Sequence, residues 1–279
     1  MVLESLIFPK KAERKPGELF FLGALYVSVG ILLSLWIFKS EASMVMVLLT
    51  VIACIPLLYR TLKREEKKDT FIYEERNLLR EHGKALKFLM FLFFGFIVAY
   101  SLWFVFLPED SASNLFRVQI ATINQINSKI IGNTINSNVI LQIFFNNLKV
   151  LFFSILFAFF YGAGAIFILT WNASVIGAAI GDFAKNKLAE VSTYFISIPI
   201  AIGRYMTHGI FEILAYFVGG LAGGIISVAI INHDINSDKF RIIMRDSLDL
   251  IILSIILLVI STLVEVFVTE LINVQAPEP

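Results

Sequence analysis

His208 and Glu212 stand four residues apart at the start of an apolar run that ends near Ile231. In a helix that spacing puts them one turn apart on a single face. An imidazole and a carboxylate so placed could ligate a metal or exchange a proton as an acid–base pair. A catalytic zinc ordinarily takes three protein ligands and a water, and no third ligand accompanies them. His82 and His233 fall in charged segments elsewhere, and the single cysteine, Cys54, lies in a separate apolar run where it reads as a buried, inert thiol. No serine or cysteine occupies a strained-turn or triad setting. The residues therefore point away from an enzyme, and no catalytic residue, metal or cofactor is expected. Ionisable side chains inside a membrane are costly and face protein or water. The candidate polar cluster is His208, Glu212, Arg204, Asn172, Asn146 and Asn147, with Glu265 and Glu270 near the end of the chain. Two readings of it stand side by side. It could line a path for an ion or small solute, or clamp the bundle, His208 and Glu212 holding Asn172 or Asn146 of neighbouring helices.

The elements that must position these residues are membrane spans. Hydrophobic residues make up 58% of the 279 and charged ones 16%, with a mean hydropathy of +0.81, outside the range of soluble domains. About 20 apolar residues cross the hydrocarbon core. Such runs cover residues 19–38, 44–58, 88–107, 150–170, 209–231 and 248–268. Residues 172–204 are ambiguous, because Asp182, Lys185, Lys187 and Glu190 separate two short apolar stretches. They could hold one span at 191–204 or a re-entrant pair of half-helices. Charge bias favours one span and seven in all. Lys10, Lys11, Arg14, Lys15, the basic residues of 60–87, Lys185, Lys187, Lys239, Arg241 and Arg245 then share the cytoplasmic side. The fold class expected is all-α, a polytopic transmembrane bundle in the cell membrane, with its N-terminus cytoplasmic and its C-terminus external. The first span reads as an uncleaved insertion signal.

The organisation that follows is an N-terminal two-span hairpin (residues 1–59), a charged cytoplasmic linker (60–87), a transmembrane core (88–272) and a polar tail (273–279). The mixed charges of the linker read as a solvated helix, with anionic headgroup contact as the alternative. Within the core, residues 108–147 form an asparagine-rich external segment whose Phe116, Ile120, Ile123 and Ile130 recur near a helical period. It reads equally as a docking face or a cap on the bundle. Gly162, Gly164, Gly177, Gly181, Gly209, Gly219 and Gly223 supply the small residues that let membrane helices approach closely. Ile213, Leu214, Phe217 and Leu221, on the side of their helix opposite Glu212, read as lipid-facing. The partners expected are the bilayer, extracytoplasmic proteins and a second copy of the chain, but not nucleic acid.

The order of these features resembles the stage II sporulation protein M family. The residues that carry the resemblance are Asn146-Asn147 before a span, Gly162 and Gly164 within it, Trp171-Asn172 followed by Gly177, and His208-Gly209-Ile210 with Glu212 opening a Gly/Ala-rich span. The family usually has glycine after the asparagine where this chain has Ala173. The resemblance implies a five-span core preceded here by an added hairpin. It also implies an integral membrane scaffold, which in spore formers organises wall-degrading enzymes on the external face. A shared fold does not by itself carry a function.

Overall fold

The structure is a computed structural model and describes residues 9–71, 75–130, 137–161, 164–187, 194–233 and 235–269. Only the backbone is described at 70–71, 75–76, 126–130, 137–139, 161, 186–187, 194–208 and 268–269. The described chain is helical: α1 (Pro9–Arg14), α2 (Gly17–Ile37), α3 (Ala42–Phe71), α4 (Glu75–Phe106), α5 (Glu109–Leu115), α6 (Arg117–Ile130), α7 (Ser137–Tyr161), α8 (Ala165–Lys187), α9 (Tyr194–Asn232) and α10 (Asp238–Val264). A short π-helical segment, Glu265–Thr269, extends α10. Seven helices, α2, α3, α4, α7, α8, α9 and α10, are long and apolar enough to cross a membrane. Local signals set several ends. Ser237 caps α10 by accepting the Phe240 N–H at 3.2 Å, and Asp238 follows in the first turn, where a negative charge suits the helix dipole.

Small residues decide which helices meet. A Cβ at Gly95 would run into the Phe20 carbonyl oxygen, and one at Gly23 into that of Leu92, so α2 and α4 touch backbone to backbone. Gly177 and Gly181 seat α8 on Tyr100 and Phe104 of α4, with α8 parallel to α4. Gly219 and Gly223 seat α9 on Leu151, Ile155 and Ala158 of α7, while Gly220 meets Ala165 and Gly224 meets Leu62. Helix α9 is thus surrounded, with 83% of its span buried. Ile213, Phe217 and Leu221 are buried at 3%, 4% and 3% exposure, not lipid-facing as their apolar character suggested. A helix apolar on every side belongs inside a bundle. Among the packing glycines expected from sequence, Gly209 differs: no described atom lies within 4 Å of where its Cβ would stand. Gly162 lies outside the described residues.

The count of seven spans holds, but two of its members are redrawn. The single span expected at 150–170 is two helices, α7 ending at Tyr161 and α8 beginning at Ala165. Gly164 stands where a Cβ would collide with the Phe157 carbonyl, so this glycine serves the turn. Asn172 to Lys187 then belongs to α8, and residues 194–204 open α9, so neither the separate span at 191–204 nor a re-entrant pair describes them. Lys185 moves to the other side of the bundle. Its Nζ donates to the Leu107 carbonyl at 3.1 Å and lies 6.0 Å from the Phe104 ring centroid. The helix tolerates Lys185 because the side chain reaches the end of α4, where the apolar core stops.

Helices α3 and α4 run well past their apolar stretches and form an antiparallel arm on one face of the bundle, joined by α1. Helices α5 and α6 lie on the opposite face. There Ser43 Oγ donates to Gln119 Oε1 at 2.8 Å, and Gln119 Nε2 donates to Ser174 Oγ at 3.2 Å and to the Ser43 carbonyl at 3.3 Å. Asn114 Nδ2 donates to the Lys39 carbonyl at 2.9 Å, and Phe116 packs between Tyr100 and Phe104. Gln119 is fully buried. Residues 108–130 therefore cap the bundle at the mouth of the α2–α3 hairpin. Residues 137–147, expected in the same segment, are instead the first turns of α7.

Candidate functional site

Polar groups inside the bundle gather at two levels. The first is at membrane depth on α9. Tyr216, fully buried, donates its hydroxyl to Glu212 Oε1 at 2.6 Å. The pair is an i,i+4 contact within one helix. The π-helical segment packs on α9 and brings Glu265 within electrostatic reach of both. A carboxylate, a phenol and a second carboxylate thus share one apolar neighbourhood. The sequence pairing of Glu212 with Asn172 or Asn146 is replaced: among the described residues Glu212 hydrogen bonds to Tyr216. Asn172 is half-buried on α8. Asn146 and Asn147 part company, because a residue's advance turns a helix by 100°. Asn147 joins Leu151, Ser154 and Ala158 on the buried face of α7, and Asn146 points outward. His208 and Arg204 lie on α9 above Glu212, and their side chains fall outside the described residues.

The second level lies in the arm, and sequence reasoning missed it. The linker expected to be solvated does expose Lys63, Lys67, Arg80, Lys84 and Lys87, but it buries four ionisable groups: Glu65, Glu66, Asp69 and His82 are 0%, 2%, 2% and 1% exposed. His82 Nδ1 stands 2.9 Å from Glu65 Oε2, and Nε2 stands 3.0 Å from Asp69 Oδ1, the latter poorly aligned for a hydrogen bond. A neutral imidazole carries one N–H, so both ring nitrogens can face carboxylates favourably only in the protonated ring. Lys68 joins Glu13 at 3.0 Å, Glu65 at 2.9 Å and Glu81 at 3.6 Å, and Arg64 joins Glu13 at 2.8 Å. Glu66 holds His233, just past α9, at 2.5 Å. One helical turn of α3 thereby ties α1, α4 and α9 together. A signal for this existed in the sequence. The buried stripe of α3 runs Cys54, Leu57, Thr61, Glu65, and continues to Asp69, while that of α4 runs Leu78, His82, Ala85, Phe88. The charges occupy core positions of helices that simply keep going.

Among the described residues no group of three or more His, Cys, Asp or Glu side chains is placed to hold a metal ion. The bundle holds a small apolar cavity of about 30 Å³ between Leu58, Leu62, Leu169 and Phe217.

The chain can now be placed by comparison. The family model for stage II sporulation protein M matches residues 85–270. The chain belongs to that family. The matched stretch starts within α4 and takes in α7 to α10, the five-span core, so the hairpin and the charged arm through His82 precede it. An uncharacterized protein of Methanocaldococcus jannaschii is 28% identical over 159 residues, which is 54% of this chain and 84% of that protein. No solved structure matches.

Proposed function

We propose that this chain is a membrane scaffold: a multi-pass assembly protein that holds partner proteins at the bilayer and performs no catalysis. The observation that carries this reading is the buried Gln119 node. It fastens α6 to α3 and α8 by side-chain bonds, while Asn114 ties α5 to Lys39, so the cap is a fixed platform. Interhelical hydrogen bonds in membranes average only ~0.6 kcal/mol each, but several converging on one amide orient a surface. On this reading the cap faces outward and the arm inward. The basic residues of α1, the arm and the start of α10 agree with a cytoplasmic arm in the cell membrane, even with Lys185 moved to the cap side.

A second reading is favoured by one specific observation. Glu212, Tyr216 and Glu265 bring two carboxylates together at membrane depth, as ion and proton paths do. The experiment that separates the readings measures folding, partner association in native membranes and ion flux in proteoliposomes for wild type, Glu212→Gln and Gln119→Leu. The scaffold reading expects no flux in wild type, with partners lost in Gln119→Leu and kept in Glu212→Gln. Wild-type flux abolished by Glu212→Gln, with partners unchanged in Gln119→Leu, would reverse the assignment.

A further inference from the structure

Helix α7 is the least enclosed of the seven spans, with 22% of its span buried. Asn147, Leu151, Ser154 and Ala158 make its buried face. On the other side Gln142, Asn146 and Lys149 are all exposed, at the i, i+4, i+7 spacing of one helical face. With Leu141 and Phe145 they form one open strip along α7. Helix α7 runs Ser137–Tyr161, so Lys149 lies twelve residues from each end. At 1.5 Å per residue that is about 18 Å. A lysine stem cannot snorkel so far to either surface. Among the described residues Lys149 has no ion-pair or hydrogen-bond partner, and lipid tails supply none.

We propose that the Gln142–Asn146–Lys149 face of α7 is the docking site for a transmembrane helix of another protein that carries a carboxylate near mid-span. The charge to be met is positive and central, and the two amides above it can donate to and accept from a polar helix face. A second copy of this chain fits worse, because a twofold contact on this face would set Lys149 against Lys149. The proposal deepens the scaffold reading by giving one partner's chemistry, yet it is tested without the cap.

The full chain is reconstituted in phosphatidylcholine vesicles with a labelled Leu/Ala membrane-spanning peptide bearing one central Glu, Gln or Lys, and association is read by energy transfer. Wild type should bind the Glu peptide about tenfold more tightly than the Gln peptide. Lys149→Gln should erase that preference, and Lys149→Glu should transfer it to the Lys peptide, which a misfolded variant could not do. Equal binding of the Glu and Gln peptides by wild type would overturn the proposal while leaving the cap and its partners untouched. Two further results would also overturn it, both read on Asn146→Cys in a Cys54→Ser background. Labelling by a membrane-impermeant thiol reagent would mean that water reaches this face, and a disulfide between two chains would mean self-association.

Discussion

Replacing His82 by alanine tests the buried charge network most directly. The side chain is 1% exposed and faces two carboxylates, Glu65 at 2.9 Å and Asp69 at 3.0 Å. Around it, Arg64, Lys68 and His82 face Glu13, Glu65, Asp69 and Glu81. Removing His82 leaves Glu65 its contact with Lys68, but leaves Asp69, 2% exposed, without a cation against it among the described residues. Breaking a buried pair by deleting one partner costs about 3–5 kcal/mol, because a buried charge is left uncompensated. We expect that loss for His82→Ala, measured by equilibrium unfolding of the purified chain in mixed micelles of increasing denaturing detergent. Asp69→Asn removes the stranded charge itself. Asp69 Oδ2 already has no hydrogen-bond partner among the described residues, so this change should cost about 1 kcal/mol. His82→Ala combined with Asp69→Asn should therefore be more stable than His82→Ala alone. If the single histidine change costs under about 1 kcal/mol, or if the double variant is the less stable, then the arm is not held by this network and the reasoning fails.

Three other expectations concern the bundle. Gly95→Ala should destabilise strongly, by about 3 kcal/mol or more, because its Cβ meets the Phe20 backbone. Gly209→Ala, with no described atom within 4 Å of its Cβ position, should be neutral or stabilise by up to about 1 kcal/mol through helix propensity; similar losses at the two glycines would refute the packing argument. Gln119→Leu removes the amide that joins α6 to Ser43 and Ser174, and should speed proteolysis of residues 108–130 with little change in the unfolding of the spans. Tyr216→Phe takes away the 2.6 Å bond to Glu212 and leaves a carboxylate in apolar surroundings, a loss of about 1–3 kcal/mol in the same unfolding assay. Glu212→Gln should be tolerated better than Tyr216→Phe, since a neutral amide is cheaper to bury there.

Composition and hydropathy were sufficient for the class of this protein, because a bilayer demands long apolar helices whatever their neighbours; they marked six runs, and the count of seven rested on charge bias as well. The ordered motif from Asn146 to Glu212 was likewise sufficient for the family. Local pattern was not sufficient to divide residues 150–204. Gly162 and Gly164 look alike in sequence whether they pack a helix or turn it, and only the Phe157 carbonyl beside Gly164 shows the turn. The same holds for charge. Lys185 looks like a span breaker until Leu107 supplies an acceptor, and Glu65, Asp69 and His82 look solvated until three helices close over them. Glu212 was legible as a polar residue of the bundle and Tyr216 stands one turn on in the same helix, but Glu265 is an ordinary residue until packing sets its segment on α9. The outward turn of Lys149 was equally hidden. A sequence shows which side chains need company in a membrane; only the tertiary arrangement shows which have found it.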